Sequence, residues 1–240
     1  MKQMKARGLT PSLLRYIVCY MTSPNRHATH PVGEQADETA QAFWERVYAG
    51  RAKPSGGRPS EALTRFAEGR TPGRALELGC ARGDDAIWLA QRGWDVIGVD
   101  IAETALEAAR FAAVAAGVAG QIQFERHDLG ESFPQGTFDL VTAMFLQSPM
   151  PFGRTQVLRR AAQAVGAGGL LLLVAHGSRA PWSWGAPDTV YPSAADELEA
   201  LALDPVQWRE VFVGASSRTA TGPSGEQASV LDTIVAIERR

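Results

Sequence analysis

Glu77, Gly79, Gly83 and Asp100 stand at spacings that could hold a nucleotide-like ligand. They lie in RALELGCARGDDAIWLAQRGWDVIGVD, residues 74–100. There an apolar run ends in a glycine turn, a helix-forming stretch follows, and a second apolar run ends in Asp100. That is half of a nucleotide-binding α/β unit. A dinucleotide fingerprint requires G-x-G-x-x-G, yet counting from Gly79 the next two glycine positions hold Ala81 and Asp84. A P-loop requires Gly-Lys-Ser/Thr, which Gly83-Asp84-Asp85 does not supply. An aspartate at the helix start also repels a pyrophosphate that would seek that positive end. The turn therefore disfavours an NAD-dependent oxidoreductase on spacing and on charge.

Elements of matching period surround this turn. ETAQAFWERVYAG (38–50) and SEALTRFAE (60–68) read as helices, with Ser60 as the N-cap of the second. Strands are expected at ALELG, WDVIGVD, QIQFERHD, FDLVTAMFL and LLLLVAH. Helices are expected at DDAIWLAQRG, ETALEAARFAAVAAG, TQVLRRAAQAVGAGG and ADELEALAL, several closed by glycine. The strands lack polar alternation, as in a parallel sheet covered on both faces. WREVFVGASSR and ASVLDTIVAIERR, joined by TGPSGEQ, read as a terminal antiparallel pair. The expected fold class is α/β: a Rossmann-like, doubly wound, seven-stranded sheet, mostly parallel with an antiparallel C-terminal strand pair.

The chain has 240 residues, 45% of them apolar, and a net charge of −2. One domain over 38–240 is expected, with 38–70 as an N-terminal helical cap. Residues 1–37 read as a disordered leader or an overextended start, with Met21 as the alternative first residue; a peripheral membrane helix is the other reading. No basic patch points to nucleic acid, and no apolar stretch approaches the ~20 residues needed to span a bilayer. Cys19 and Cys80 are far apart and form no disulfide framework, which places the chain in a reducing, cytoplasmic compartment. No Cys/His cluster suggests a metal.

The Glu77-x-Gly79-x-x-x-Gly83 turn with Asp100 at the next strand tip resembles the first motif of class I S-adenosylmethionine-dependent methyltransferases. That cofactor has no phosphate and carries a positive sulfonium and ammonium, so acidic groups near the turn attract it. The resemblance runs from about Phe43 to the C-terminus and implies cofactor roles. Glu77 would support the turn, and Gly79, Cys80 and Gly83 would line the methionine part. Asp100 and Ile101 would hold ribose and adenine, Asp128 and Leu129 would border the adenine, and Met144 would lie near the methyl donor. Ala81 stands where many relatives have glycine, which is tolerable if its φ is negative.

FWERVYAGR, GGRPSEAL and LLLVAHG further resemble the small-molecule subgroup of tellurite-resistance and thiopurine-type methyltransferases. There a helix carrying F-W-x-x-x-Y folds over the cofactor, and a W-x-G-R-P turn helps close the site. Phe43, Trp44 and Tyr48 match the first, and Gly57-Arg58-Pro59 the second without its tryptophan. Trp44 and Tyr48 serve equally as core packing of an amphipathic helix, and Arg58 as a solvated loop residue. Where many relatives carry leucine-histidine after the fourth strand, this chain has Leu146-Gln147. His176, at the tip of LLLLVAH, is then the nearest candidate base, or simply a strand-end histidine bonded to a loop. His127 is expected at the surface or behind the site. Trp182, Trp184 and Tyr191 would cap the acceptor pocket or pack on the terminal hairpin, with Met150 and Phe152 as another wall. The expected reaction is in-line methyl transfer to a small soft or ionised acceptor, with Gln147, Phe152, Trp182 and Trp184 at the substrate pocket. A catalytically silent cofactor-binding protein is the alternative from a different class.

Overall fold

The computed structural model describes residues 38–50, 57–183, 189–222 and 224–240. The leader 1–37, the choice between Met1 and Met21, and Trp184 lie outside the described residues. Two short helices come first, α1 (Ala40–Ala49) and α2 (Glu61–Ala67). An alternating unit follows: β1 (Arg74–Leu78), α3 (Asp84–Ala90), β2 (Asp95–Asp100), α4 (Glu103–Ala115) and β3 (Ile122–Arg126). Then come β4 (Phe138–Met144), α5 (Arg154–Gln163), β5 (Val165–His176), α6 (Ala194–Leu201), β6 (Trp208–Thr221) and β7 (Gln227–Arg239).

The strands form one seven-stranded sheet in the order β3-β2-β1-β4-β5-β7-β6. β1 to β5 pair in parallel, and β7 is antiparallel to both β5 and β6. The expected architecture is present. Because side chains alternate along a strand, each sheet face carries its own core. One face packs Ala75, Leu140, Leu170 and Leu172 under Leu63 of α2 and Trp88 and Leu89 of α3. The other packs Leu76, Leu78, Val141 and Leu171 under Val157 and Leu158 of α5 and Leu201 of α6. These parallel strands therefore lack a polar face. Helix starts follow side-chain capping: Ser60 accepts the Leu63 N–H, and Ser193 with Asp196 forms a capping box.

Two boundaries depart from expectation. The helix expected over 155–169 stops at Gln163, and VGAGG opens β5 instead. Val165 is fully buried and pairs with Phe138, so tertiary packing overrides the glycine stop. The fourth strand ends at Met144 rather than Leu146, because Phe145 adopts φ +54 and turns the chain out of the sheet.

β1 switches direction of connection between β2 and β4, so the parallel tips diverge there and leave a crevice. β6 and β7 extend past the end of β5: their pairing continues to Thr221↔Gln227, whereas β5 finishes at His176↔Asp232. The hairpin thus projects on the same side as the crevice.

Candidate active site

The glycine turn is set by backbone conformations that few residues adopt. Gly79 and Gly83 have φ of +72 and +80. A Cβ on Gly79 would stand 2.8 Å from Leu146 Cδ1. Ala81 has φ +48, contrary to the negative value on which its replacement of glycine was judged tolerable. A left-handed alanine costs about 1–2 kcal/mol. Asp100 offsets this, because its Oδ2 accepts the Ala81 N–H at 3.0 Å and its Oδ1 accepts the Ala102 N–H at 3.0 Å. Asp100 is 6% exposed, and burial pushes its carboxyl up to about 6, with the backbone N–H groups acting the other way.

Glu77 lies beneath the turn, fully desolvated. Its Oε2 has no hydrogen-bond partner among the described residues. Burial holds its carboxyl well above the usual range, and the charges of Asp85, Asp84 and Asp100 push the same way. Asp84 and Asp85 do not face the cleft as the charge argument expected. Asp84 Oδ1 accepts the Gly57 N–H at 2.5 Å, and Asp85 Oδ1 accepts the Ser60 N–H at 2.6 Å. They fasten the Gly57-Arg58-Pro59 turn to the start of α3. Arg58 itself is exposed and is not part of the cleft lining.

The cleft over the strand tips encloses about 670 Å³ including its open mouth. Of the expected residues, it is lined by Trp44, Gly79, Asp100, Ile101, Asp128, Leu129, Gln147 and Phe152, with Tyr48 beside them. Cys80, Met144 and Glu77 are buried behind that wall, and Gly83 supports it from the turn. His127 lines the cleft rather than standing outside it, bonded to Ser132 Oγ at 2.8 Å and Glu125 Oε2 at 2.9 Å. Leu146 lines it beside Gln147, and Ala40, Phe145, Ser148 and Pro151, which the sequence did not single out, line it too. The one legible signal for the last two was the run QSPMPF straight after a strand tip.

His176 does not reach the lining. Its ring stacks on Phe145 with centroids 4.6 Å apart, and burial, with the Arg218 charge, pushes its pKa down to about 4. A ring of that pKa is neutral at pH 7. Trp182 also stays off the lining and packs where a Cβ on Gly222 would meet it at 2.8 Å, against the terminal hairpin. Among the described residues no group of His, Cys, Asp and Glu is arranged to hold a metal.

The arrangement fits a cofactor with a ribose and a cationic amino-acid end. Asp100 sits at the β2 tip with lone pairs left for hydroxyl donors. Gly79 leaves the space that a Cβ would fill. The Glu77 oxygen without a hydrogen-bond partner among the described residues lies beneath the turn.

Comparison with known proteins agrees. Residues 75–169 match the model of the methyltransferase domain family. A ubiquinone biosynthesis O-methyltransferase of Pseudomonas aeruginosa is 33% identical over 101 residues, 42% of this chain and 43% of that protein. The chain spans less than half the length of the curated relatives it matches. A solved structure from echinomycin biosynthesis, described as converting a disulfide bond into a thioacetal group, superposes with a TM-score of 0.67 at 24% identity. It covers 84% of this chain and 92% of its own. TehB of Haemophilus influenzae superposes with a TM-score of 0.58 at 15% identity over 84% of this chain and 68% of its own. Residues 75–169 thus match a methyltransferase domain, within a seven-stranded fold shared with these solved structures.

Proposed function

We propose that this chain transfers the methyl group of S-adenosylmethionine to a small, soft or already ionised acceptor by in-line displacement. The observation that carries the acceptor class is the composition of the cleft beyond the β4 tip. There Phe145, Leu146, Gln147, Ser148, Pro151 and Phe152 form the wall with no titratable side chain among them, the titratable lining residues being Tyr48 on α1 and Asp100, His127 and Asp128 at the tips of β2 and β3. A hydroxyl or amine acceptor would need a base in hydrogen-bond reach. His176 is half-buried, neutral and stacked behind Phe145, so it serves here as the backing of that ring. A thiolate, selenide or oxyanion acceptor needs no such base.

The bound cofactor supplies a sulfonium methyl; its carbon–sulfur electron pair returns to sulfur as an acceptor lone pair bonds the methyl carbon. The protein's part is placement and exclusion of water. Asp100 and Ile101 hold the ribose end, Asp128 and Leu129 border the base, and the Gly79 turn admits the amino-acid end. Trp44 and Tyr48 cover the cleft from α1. The chain from 38 to 240 acts as one domain with 38–70 as its cap. The buried free thiol of Cys80 suits a reducing, cytoplasmic compartment. The charge balance of −2 suits a small-molecule acceptor rather than nucleic acid. No helix among the described residues is long and apolar enough to cross a membrane.

The test is calorimetry with S-adenosylmethionine followed by an acceptor panel of thiols, phenols, tellurite and selenite. Saturable binding and turnover on a thiol or oxyanion are expected. Turnover confined to phenols, the O-methyl chemistry in the curated relative's name, would overturn the soft-acceptor reading. Binding without turnover across the panel would make the chain a cofactor sensor instead.

A further inference from the structure

α1 is tied by polar contacts to three separate walls of the cleft. Glu45 Oε1 accepts the Glu103 N–H at 2.7 Å, and Oε2 accepts the Thr104 N–H at 3.0 Å. α4 needs this, because its N-cap is Ala102, which offers no side-chain cap. A carboxylate from another helix therefore satisfies two of the orphan donors at the positive end of α4. One residue earlier, Trp44 Nε1 donates to Ser148 Oγ at 3.3 Å, across the cleft on the loop after β4. At the helix end, Arg82 Nη2 from the glycine turn donates to the Tyr48 carbonyl at 3.0 Å. Between these ties, Ala40, Trp44 and Tyr48 form the helical face that roofs the cleft.

Apolar packing of α1 adds to these ties through two residues. The helix has ten residues, and only Phe43 and Val47 are buried. Isolated helices shorter than about 12–15 residues are marginal in water. The docked position therefore draws on tertiary contacts, the polar ties among them. Glu45 makes the only one that is charge-assisted through both carboxylate oxygens, which are the stronger kind of hydrogen bond. Its N–H partners, Glu103 and Thr104, come after Asp100 and Ile101 with only Ala102 between, so release of Glu45 uncovers the β2 tip that lines the cleft.

We infer that Glu45 is the latch of a removable roof: α1 must lift for the cofactor to enter or leave, and the Glu45–α4 tie sets how fast it does so. This rests on the cofactor reading above. Glu45 is a positioning residue, acting through α1 and the start of α4.

The test has one arm that needs no ligand and one that does. In the cofactor-free protein, amide hydrogen exchange is followed across α1 and at Glu103 and Thr104, for Glu45→Ala, Glu45→Gln and a control, Glu38→Gln. The control weakens the Arg46–Glu38 pair of 2.8 Å, which joins α1 to the residue before its N-cap, but not the tie. In the second arm the dissociation rate of S-adenosylmethionine is measured by displacement with excess S-adenosylhomocysteine. Glu45→Ala is expected to raise both exchange and dissociation rate about tenfold or more, the loss typical of charge-assisted hydrogen bonds. Turnover at saturating cofactor should stay within about twofold, since loss of an opening barrier does not touch the transfer step. Glu45→Gln, which keeps one acceptor oxygen, should fall between, and Glu38→Gln should match the parent. Unchanged exchange in Glu45→Ala would overturn the tie. Faster exchange with unchanged dissociation would overturn the gate. Failure of the parent protein to bind the cofactor would instead refute the cofactor reading, with the exchange arm still reporting on the latch.

Discussion

Around the tips of β1, β2 and β3 the cleft is walled by backbone that glycine holds open and by carboxylates that accept backbone N–H groups. Around the tip of β4 it is walled by Phe145, Leu146, Pro151 and Phe152. The first half spends Asp100 on fixed geometry at Ala81 and Ala102, and outside the lining Asp84 and Asp85 fix Gly57 and Ser60. The second half offers shape and dryness, with its histidine neutral and behind an aromatic ring. On the proposed function, a donor with one fixed structure is met by rigid, directional contacts, and an acceptor by a surface that asks only for size, apolarity and an available lone pair.

That contrast can be broken most forcefully at Gly79. In Gly79→Val a branched side chain would be forced to φ +72 and into Leu146 at 2.8 Å. Cofactor binding should fall below detection, with about 2–4 kcal/mol lost from stability by strain and overpacking. Titration calorimetry and a urea melt check both, and a variant that binds like the parent would show that the turn does not carry the cofactor.

The next effect is of pH on the polar half. Asp85 and Asp100 have carboxyls raised to about 6, mainly by burial. Folded values above the unfolded 3.8 mean that their contribution to cofactor-free stability is full below about pH 3.8 and lost as pH rises through about 6. Hydroxyl donors from a ribose favour the ionised Asp100. The rise in melting temperature on adding S-adenosylmethionine should therefore grow from pH 5 to pH 7. A gain that is flat over that range would remove Asp100 from the ribose contact.

On the acceptor side the expected effect is small. His176→Phe keeps the stack on Phe145 and should retain turnover within about threefold. Loss of a general base would cost ~10²–10⁴-fold, so a fall of that size would restore His176 as a catalytic residue. Smaller still, Ala81→Gly relieves the left-handed alanine at φ +48. It should gain about 0.5–1 kcal/mol after the entropic cost of glycine, read as a rise of a few degrees in melting temperature.

The polar half was legible in the sequence because its constraints are local. Gly79, Gly83 and Asp100 fall within one βαβ stretch, and each residue type answers a backbone requirement of that stretch. The acceptor half was only partly legible. Phe145 is turned into the cleft by a positive φ that no apolar run announces, and Trp182 packs on Gly222 some forty residues onward, a contact that no spacing encodes. His127 looked peripheral because its neighbours Glu125 and Ser132 gave no sign of orienting its ring at the cleft wall. The tie from Glu45 to α4 joins residues 58 positions apart and has no local signature at all.

The central claim is that Asp100 and the glycine turn hold S-adenosylmethionine. Calorimetric titration of that cofactor into the parent protein and into Asp100→Ala tests it most directly. Saturable binding in the parent, weakened about 10- to 100-fold in the variant, is the predicted result, since a hydrogen-bonded charge is worth ~1.5–3 kcal/mol. Equal affinity of the two proteins, or no binding to the parent, would contradict it.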